Sequence, residues 1–111
     1  MEEKEYSSVT NELLERTERC KNSIASNFVP HDKEIIAGIK KFEIVLKEIN
    51  PEYIDDNIKK IIEGRIAPLI YNENSEFKYV NYHILHGINL SLGILDGYIQ
   101  GVKKRTKSIE K

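Results

Sequence analysis

The chain has one cysteine, no tryptophan, three prolines and almost no net charge, and each shortage removes a class of explanation. A lone Cys20 rules out an internal disulfide and any multi-cysteine zinc site, and it fits a reducing compartment. A formal net charge of −1 supplies no global field for nucleic acid or an anionic membrane. The opening residues, MEEKEYSS, are acidic where a secretory leader would be basic and then apolar. The longest apolar stretch, Ile84 to Val102, is interrupted by His86, Asn89, Asp96 and Gln100, so no membrane span is expected. We therefore expect a cytoplasmic protein. The abundance of Ile, Lys and Asn points to an AT-rich genome of bacterial or phage type.

What is present is the balance of a globular domain: 111 residues, 40% hydrophobic and 32% charged, enough for one modest core. Four segments carry helical periodicity. The first, at about residues 6–26, repeats Val9, Leu13, Thr17, Cys20 and Ile24 as a thin stripe among charged residues, with Ser7, Ser8 or Thr10 available as caps. Asn27 to Pro30 breaks it, because proline disfavours helix for the residue before it. The second, residues 32–49, places Ile35, Ile39, Phe42, Leu46 and Ile49 in a heptad-like seam widened by Ile36 and Val45.

Asn50-Pro51-Glu52 reads as the start of a third helix over residues 51–64, with asparagine as cap and proline at the first position. Ile54, Ile58, Ile61 and Ile62 point inward, and Gly64 is the expected terminator. Residues 66–71, containing Pro68, are compatible with a kinked continuation or a separate short turn. The turn cluster Asn72 to Ser75 then leads into a long last helix, residues 75–105. Residues 1–5 and 106–111 are expected to be flexible ends. Short connections favour antiparallel neighbours, so the predicted fold is all-α, an antiparallel up-and-down four-helix bundle with a long C-terminal helix.

That last helix organises the rest. Val80, Ile84, Ile88, Ser91, Leu95, Tyr98 and Val102 share one side, flanked by Leu85, Leu92 and Ile99 and by Gly87 and Ile94. The apolar arc spans roughly 200°, twice what a surface helix needs, so the helix either sits centrally or contributes to a dimer.

The opposite side carries Tyr79, Tyr82, His86, Leu90, Gly93, Gly97, Gln100 and Gly101. Glycine within a helix costs about 1 kcal/mol relative to alanine, so a row at Gly93, Gly97 and Gly101 calls for compensation. Two readings compete. The glycines accept side chains of the first or second helix inside the bundle, or they form a groove for a partner helix or second subunit.

No complete chemical motif is present. His83 and His86 stand three apart on one helix, a spacing open to two metal ligands, but a third would have to come from elsewhere, such as His31 or a glutamate. We assign no metal, no cofactor and no catalytic residue. Glu12 with Glu15, and Glu52 with Asp55, make carboxylate pairs of the kind found in metal-dependent bundle hydrolases, without the matching pair such an enzyme needs. The arginine that small helical ribonucleases place ahead of their histidine is replaced by Lys78, five residues before His83. The tail KKRTKSIEK is basic but has no aromatic residue to stack a base.

The expected function is protein binding through the eight-residue face of the last helix, as an inhibitor, immunity factor, antitoxin or phage-encoded regulator. The partner would be another protein or a second copy in a homodimer. The alternatives are nucleic-acid binding by the basic end and a metal-dependent carboxylate hydrolase.

Overall fold

A computed structural model describes residues 5–70 and 82–109. These form four helices with no strand among them: α1 (Ser8–Ser26), α2 (Asp32–Ile49), α3 (Asp56–Ile70) and α4 (Tyr82–Ile109). The protein is an all-α four-helix bundle with a long last helix. Tyr79 and the cluster Asn72 to Ser75 lie outside the described residues, as do residues 1–4, 110 and 111 of the expected flexible ends. No helix among the described residues is long and apolar enough to cross a membrane.

Capping chemistry sets the start of α1. The Ser7 hydroxyl oxygen accepts the Thr10 N–H at 3.1 Å, which satisfies one of the donors a helix start leaves unpaired. Ser7 also reaches across the fold: its N–H donates to Asn50 Oδ1 at 2.9 Å and its hydroxyl donates to the Pro51 carbonyl. The beginning of α1 is thereby tied to the corner after α2.

That corner corrects the sequence reading. Asn50 closes α2 and does not open the third helix: it is left-handed, with φ 44°, and its N–H donates to the Leu46 carbonyl at 2.8 Å. Pro51 stops α2 here, since it disfavours the helical region for the residue before it, and asparagine tolerates the left-handed conformation found. Buried Ile54 draws the connecting segment onto the core, and Asp55 does the capping, accepting the Ile58 N–H at 2.9 Å. The helix then runs through Gly64 and Pro68 to Ile70, so Gly64 is no terminator and the proline lies within a continuation. Proline crowds the carbonyl four residues earlier, and here that residue is Gly64, whose backbone is the least constrained. The longer helix also changes the inward set: Ile62 and Ile66 are buried while Ile61 is 48% exposed. At the other end, α4 continues past Arg105 to Ile109, so residues 106–109 are helical.

Cross-links give the directions. Thr17 meets Glu43 and Ser7 meets Asn50, so α1 is antiparallel to α2. Lys59 pairs with Asp96 at 3.3 Å and Lys103 with Asp56 at 3.0 Å, so α3 is antiparallel to α4. Between α2 and α4 the numbering climbs together, His31 against His83 and Gly38 against Gly87.

The pairing of α2 with α4 is the centre of the fold. Phe42, Val45 and Leu46 of α2 share one core with Ile88, Leu95, Tyr98 and Ile99 of α4, closed by Leu13 from α1 and Ile62 and Ile66 from α3. A smaller core of Ile24, Ile35 and Ile39 takes Val29, Cys20 and Leu90 against it. Of the two arrangements expected for α4, the central one is found. Ile88, Leu95 and Ile99 are at most 1% exposed, and Ile84, Leu85, Leu92, Ile94 and Val102 are half-buried. The described part of its apolar arc is covered within one chain and does not by itself demand a partner, while Val80 lies outside the described residues.

The helices touch through glycine. A Cβ built on Gly38 would lie 2.1 Å from the Ile84 carbonyl oxygen, and one on Gly87 would lie 1.9 Å from that of Ile35. Neither position has room for a side chain, because the neighbour is main chain. One turn beyond Gly87, buried Ser91 keeps the seam narrow and donates its hydroxyl to the Gly87 carbonyl at 3.0 Å.

Among the described residues, one charged side chain is buried beside the core. Glu43 of α2 is 8% exposed and accepts from Thr17 Oγ1 at 2.6 Å and from Lys21 Nζ at 2.8 Å. Every described buried side-chain polar atom has a partner, as a stable interior requires.

Candidate functional site

Two regions outside the core carry the candidate residues: the outer face of α4, and the end of the bundle where α2 and α4 begin. On the outer face, Tyr82, His86, Gly93, Gly97 and Gln100 are exposed, while Leu90 and Gly101 are half-buried. Tyr82 is 78% exposed. Leu90 leans on the smaller core, so it is a border of this face and not part of its centre.

The glycine row separates the two readings given above. A Cβ added at Gly93, Gly97 or Gly101 would meet nothing within 4 Å, so these glycines do not accept side chains from α1 or α2. The glycines that do mediate contact inside the bundle are Gly38 and Gly87.

At the bundle end, Pro30 and a pinned valine shape the loop between α1 and α2. Val29 packs onto the smaller core and its N–H donates to the Ile24 carbonyl at 3.5 Å. Phe28, left-handed at φ 51°, is thrown outward and is 88% exposed. His31 is left-handed too, at φ 60°, and its carbonyl accepts the Ile35 N–H at 3.0 Å. It stands at the cap position of α2, yet its side chain makes no capping bond.

That imidazole stacks on His83 of α4 instead, with ring centroids 3.7 Å apart and planes 14° from parallel. Glu34 joins them: the ligand atoms of His31, Glu34 and His83 all lie within 4.8 Å of one another. The structure thus groups His83 with His31 and a glutamate from α2, while His86 faces solvent three residues on. Spacing along one helix draws attention to His83 and His86, whereas the cluster arises between helices and is invisible to spacing.

The remaining candidates are engaged locally. Glu12 pairs with Arg16 at 3.2 Å, Asp55 caps α3, and Glu15 and Glu52 are exposed, so the carboxylate pairs do not converge. Lys103, the first cation of the basic end, is bound to Asp56. Burial pushes the Cys20 thiol above its ordinary pKa, away from the thiolate that nucleophilic chemistry needs. Compared with known proteins, the chain matches no family model, no curated protein and no solved structure.

Proposed function

We propose that the chain is a protein-binding module without catalytic chemistry of its own, working in the cytoplasm, whose open α4 face receives a helix. One observation carries this reading. Gly93, Gly97 and Gly101 stand in a row with nothing within 4 Å of where their side chains would begin. Each costs about 1 kcal/mol against alanine, a cost that no contact within the bundle explains. Elsewhere in the same molecule, a glycine pair lets two helices touch, so the chain already uses this device.

The occupant we assign is α4 of a second copy. Tyr82, His86, Gly93, Gly97 and Gln100 carry no carboxylate, ammonium or guanidinium group, in a chain that is 32% charged. A stripe of that kind can face itself across a two-fold axis without like-charge repulsion. Inhibitor, immunity, antitoxin or phage-regulator roles are the functions that a module of this size serves.

Light scattering on the purified chain tests the reading. The parent should have twice the 12.9 kDa chain mass, and Gly97→Leu should have the single-chain mass with unchanged far-UV circular dichroism. A monomeric parent would overturn self-docking. Lost helicity in Gly97→Leu would overturn the open face itself.

A further inference from the structure

The grouping of His31, Glu34 and His83 is not used by the proposed docking face, and its side chains start from fixed points of the fold. Glu34 lies one turn before Gly38 and His83 one turn before Gly87, the two residues whose backbones touch. This backbone contact between α2 and α4 therefore fixes where these two side chains originate. His31 follows from the left-handed residue that starts α2, with its ring already against His83.

We propose that these three residues bind a divalent transition-metal ion of the zinc class, through one imidazole nitrogen from each histidine and one Glu34 oxygen. Ligand atoms around tetrahedral zinc, at bond lengths of about 2.0–2.1 Å, are about 3.4 Å apart. The present limit of 4.8 Å exceeds that distance by about 1.4 Å, the gap that turning the side chains would have to close. The stack itself is not the bound geometry. An imidazole lone pair lies in the ring plane, and two near-parallel planes cannot both point at one ion, so binding turns one ring out of the stack about its soft terminal torsion.

The donor set selects the metal. Two nitrogens and one carboxylate suit zinc, nickel or copper, while magnesium and calcium prefer all-oxygen shells. Three protein ligands leave a fourth position for water. The α2 N-terminus is the positive end of a helix dipole and opposes a cation, and Asp32 and Glu34 in its first turn offset that field. Binding ties the start of α2 to the start of α4, so the ion should stabilise the fold by mass action.

The test uses the tag-free chain, stripped with a chelator and titrated with Zn²⁺ by calorimetry and by thermal unfolding. One Zn²⁺ per chain and a raised melting temperature are expected, with d–d absorption when Co²⁺ replaces zinc. His83→Gln and Glu34→Gln should each weaken binding by more than the ~10-fold that even an outer-shell change costs. His31→Gly should do the same while melting no lower than the parent without metal, because glycine accepts φ near 60°. His86→Gln should bind like the parent. No saturable binding, indifference to His83→Gln, or an equal loss in His86→Gln would overturn the site. Gly97→Leu should retain zinc binding, so failure of the docking face and failure of the metal site are read separately.

Discussion

Gly87→Ala should destabilise the protein by more than about 3 kcal/mol, although alanine is the better helix former. Its methyl group would be built 1.9 Å from the Ile35 carbonyl oxygen. Overpacking usually costs about 1–3 kcal/mol because side chains shift to absorb it, but a carbonyl held in a helix cannot turn away. The two helices must separate, and the core of Phe42, Leu46, Ile88 and Leu95 opens with them. Gly38→Ala, 2.1 Å from the Ile84 carbonyl oxygen, should behave alike. At roughly 4 °C or more per kcal/mol, either variant should melt at least about 12 °C below the parent. With the chain dilute enough to be a single copy, Gly93→Ala and Gly97→Ala should shift the opposite way, by about 0.5–1 kcal/mol of added stability, because nothing else in the same chain fills their sites. Opposite signs from the same substitution separate the glycines that build the fold from those that do not.

Glu43→Ala should cost about 2–4 kcal/mol, the second large effect. The carboxylate is nearly enclosed and is the shared acceptor of Thr17 and Lys21. Without it the Lys21 side chain, only 15% exposed, keeps Glu18 at 2.9 Å as its partner. Thr17 falls back on the Leu14 carbonyl at 3.0 Å. Those fallbacks hold the cost below that of stranding a fully buried charge.

The same group sets an alkaline dependence. Burial alone pushes the Lys21 ammonium pKa down, but the hydrogen bonds to Glu43 and Glu18 and the negative charges of both carboxylates together outweigh it, and the net displacement is upward from 10.5. A raised folded pKa contributes stability that is complete below the unfolded value and is lost as pH climbs through the folded one. Unfolding free energies measured between pH ~9 and ~12 should therefore fall for the parent above about 10.5. Glu43→Gln should show a shallower fall. An equal slope in both chains would show that the pair contributes nothing to it.

Much of this architecture is legible in the residues themselves. The seam of Ile35, Ile39, Phe42 and Leu46 repeats at helical spacing, and all four side chains are buried. The breadth of the α4 apolar arc calls for neighbours on several sides, which leaves a central place or a dimer open, and the packing of one chain decides for the central place. Junctions are harder to read. Asn50-Pro51 suits a helix start as well as a helix stop, and only the left-handed backbone of Asn50, anchored to Ser7, decides between them.

The glycines show why the central contact is hidden. Gly93, Gly97 and Gly101 form a conspicuous row with open space where their side chains would begin, whereas Gly38 and Gly87 lie on different helices and share no local pattern. The one available signal is that each sits on the apolar side of its own helix, where a missing side chain leaves a gap unless another backbone fills it. Glu43 is hidden in the same way. As a charged residue it reads as solvated, and its burial depends on Thr17 and Lys21 arriving from α1. His31 and His83, far apart in sequence, meet only because α2 and α4 run side by side in the same direction.

The backbone contact between α2 and α4 is the claim on which the fold, the central place of α4 and the histidine grouping all rest. Proton NMR on the assigned chain measures it directly, through the nuclear Overhauser effect between the α-protons of Gly38 and Gly87. A strong cross-peak is predicted, since a Cβ on either residue would lie 3.1 Å from the other's Cα. With both glycines assigned and no such cross-peak, the two helices do not touch there and the account fails.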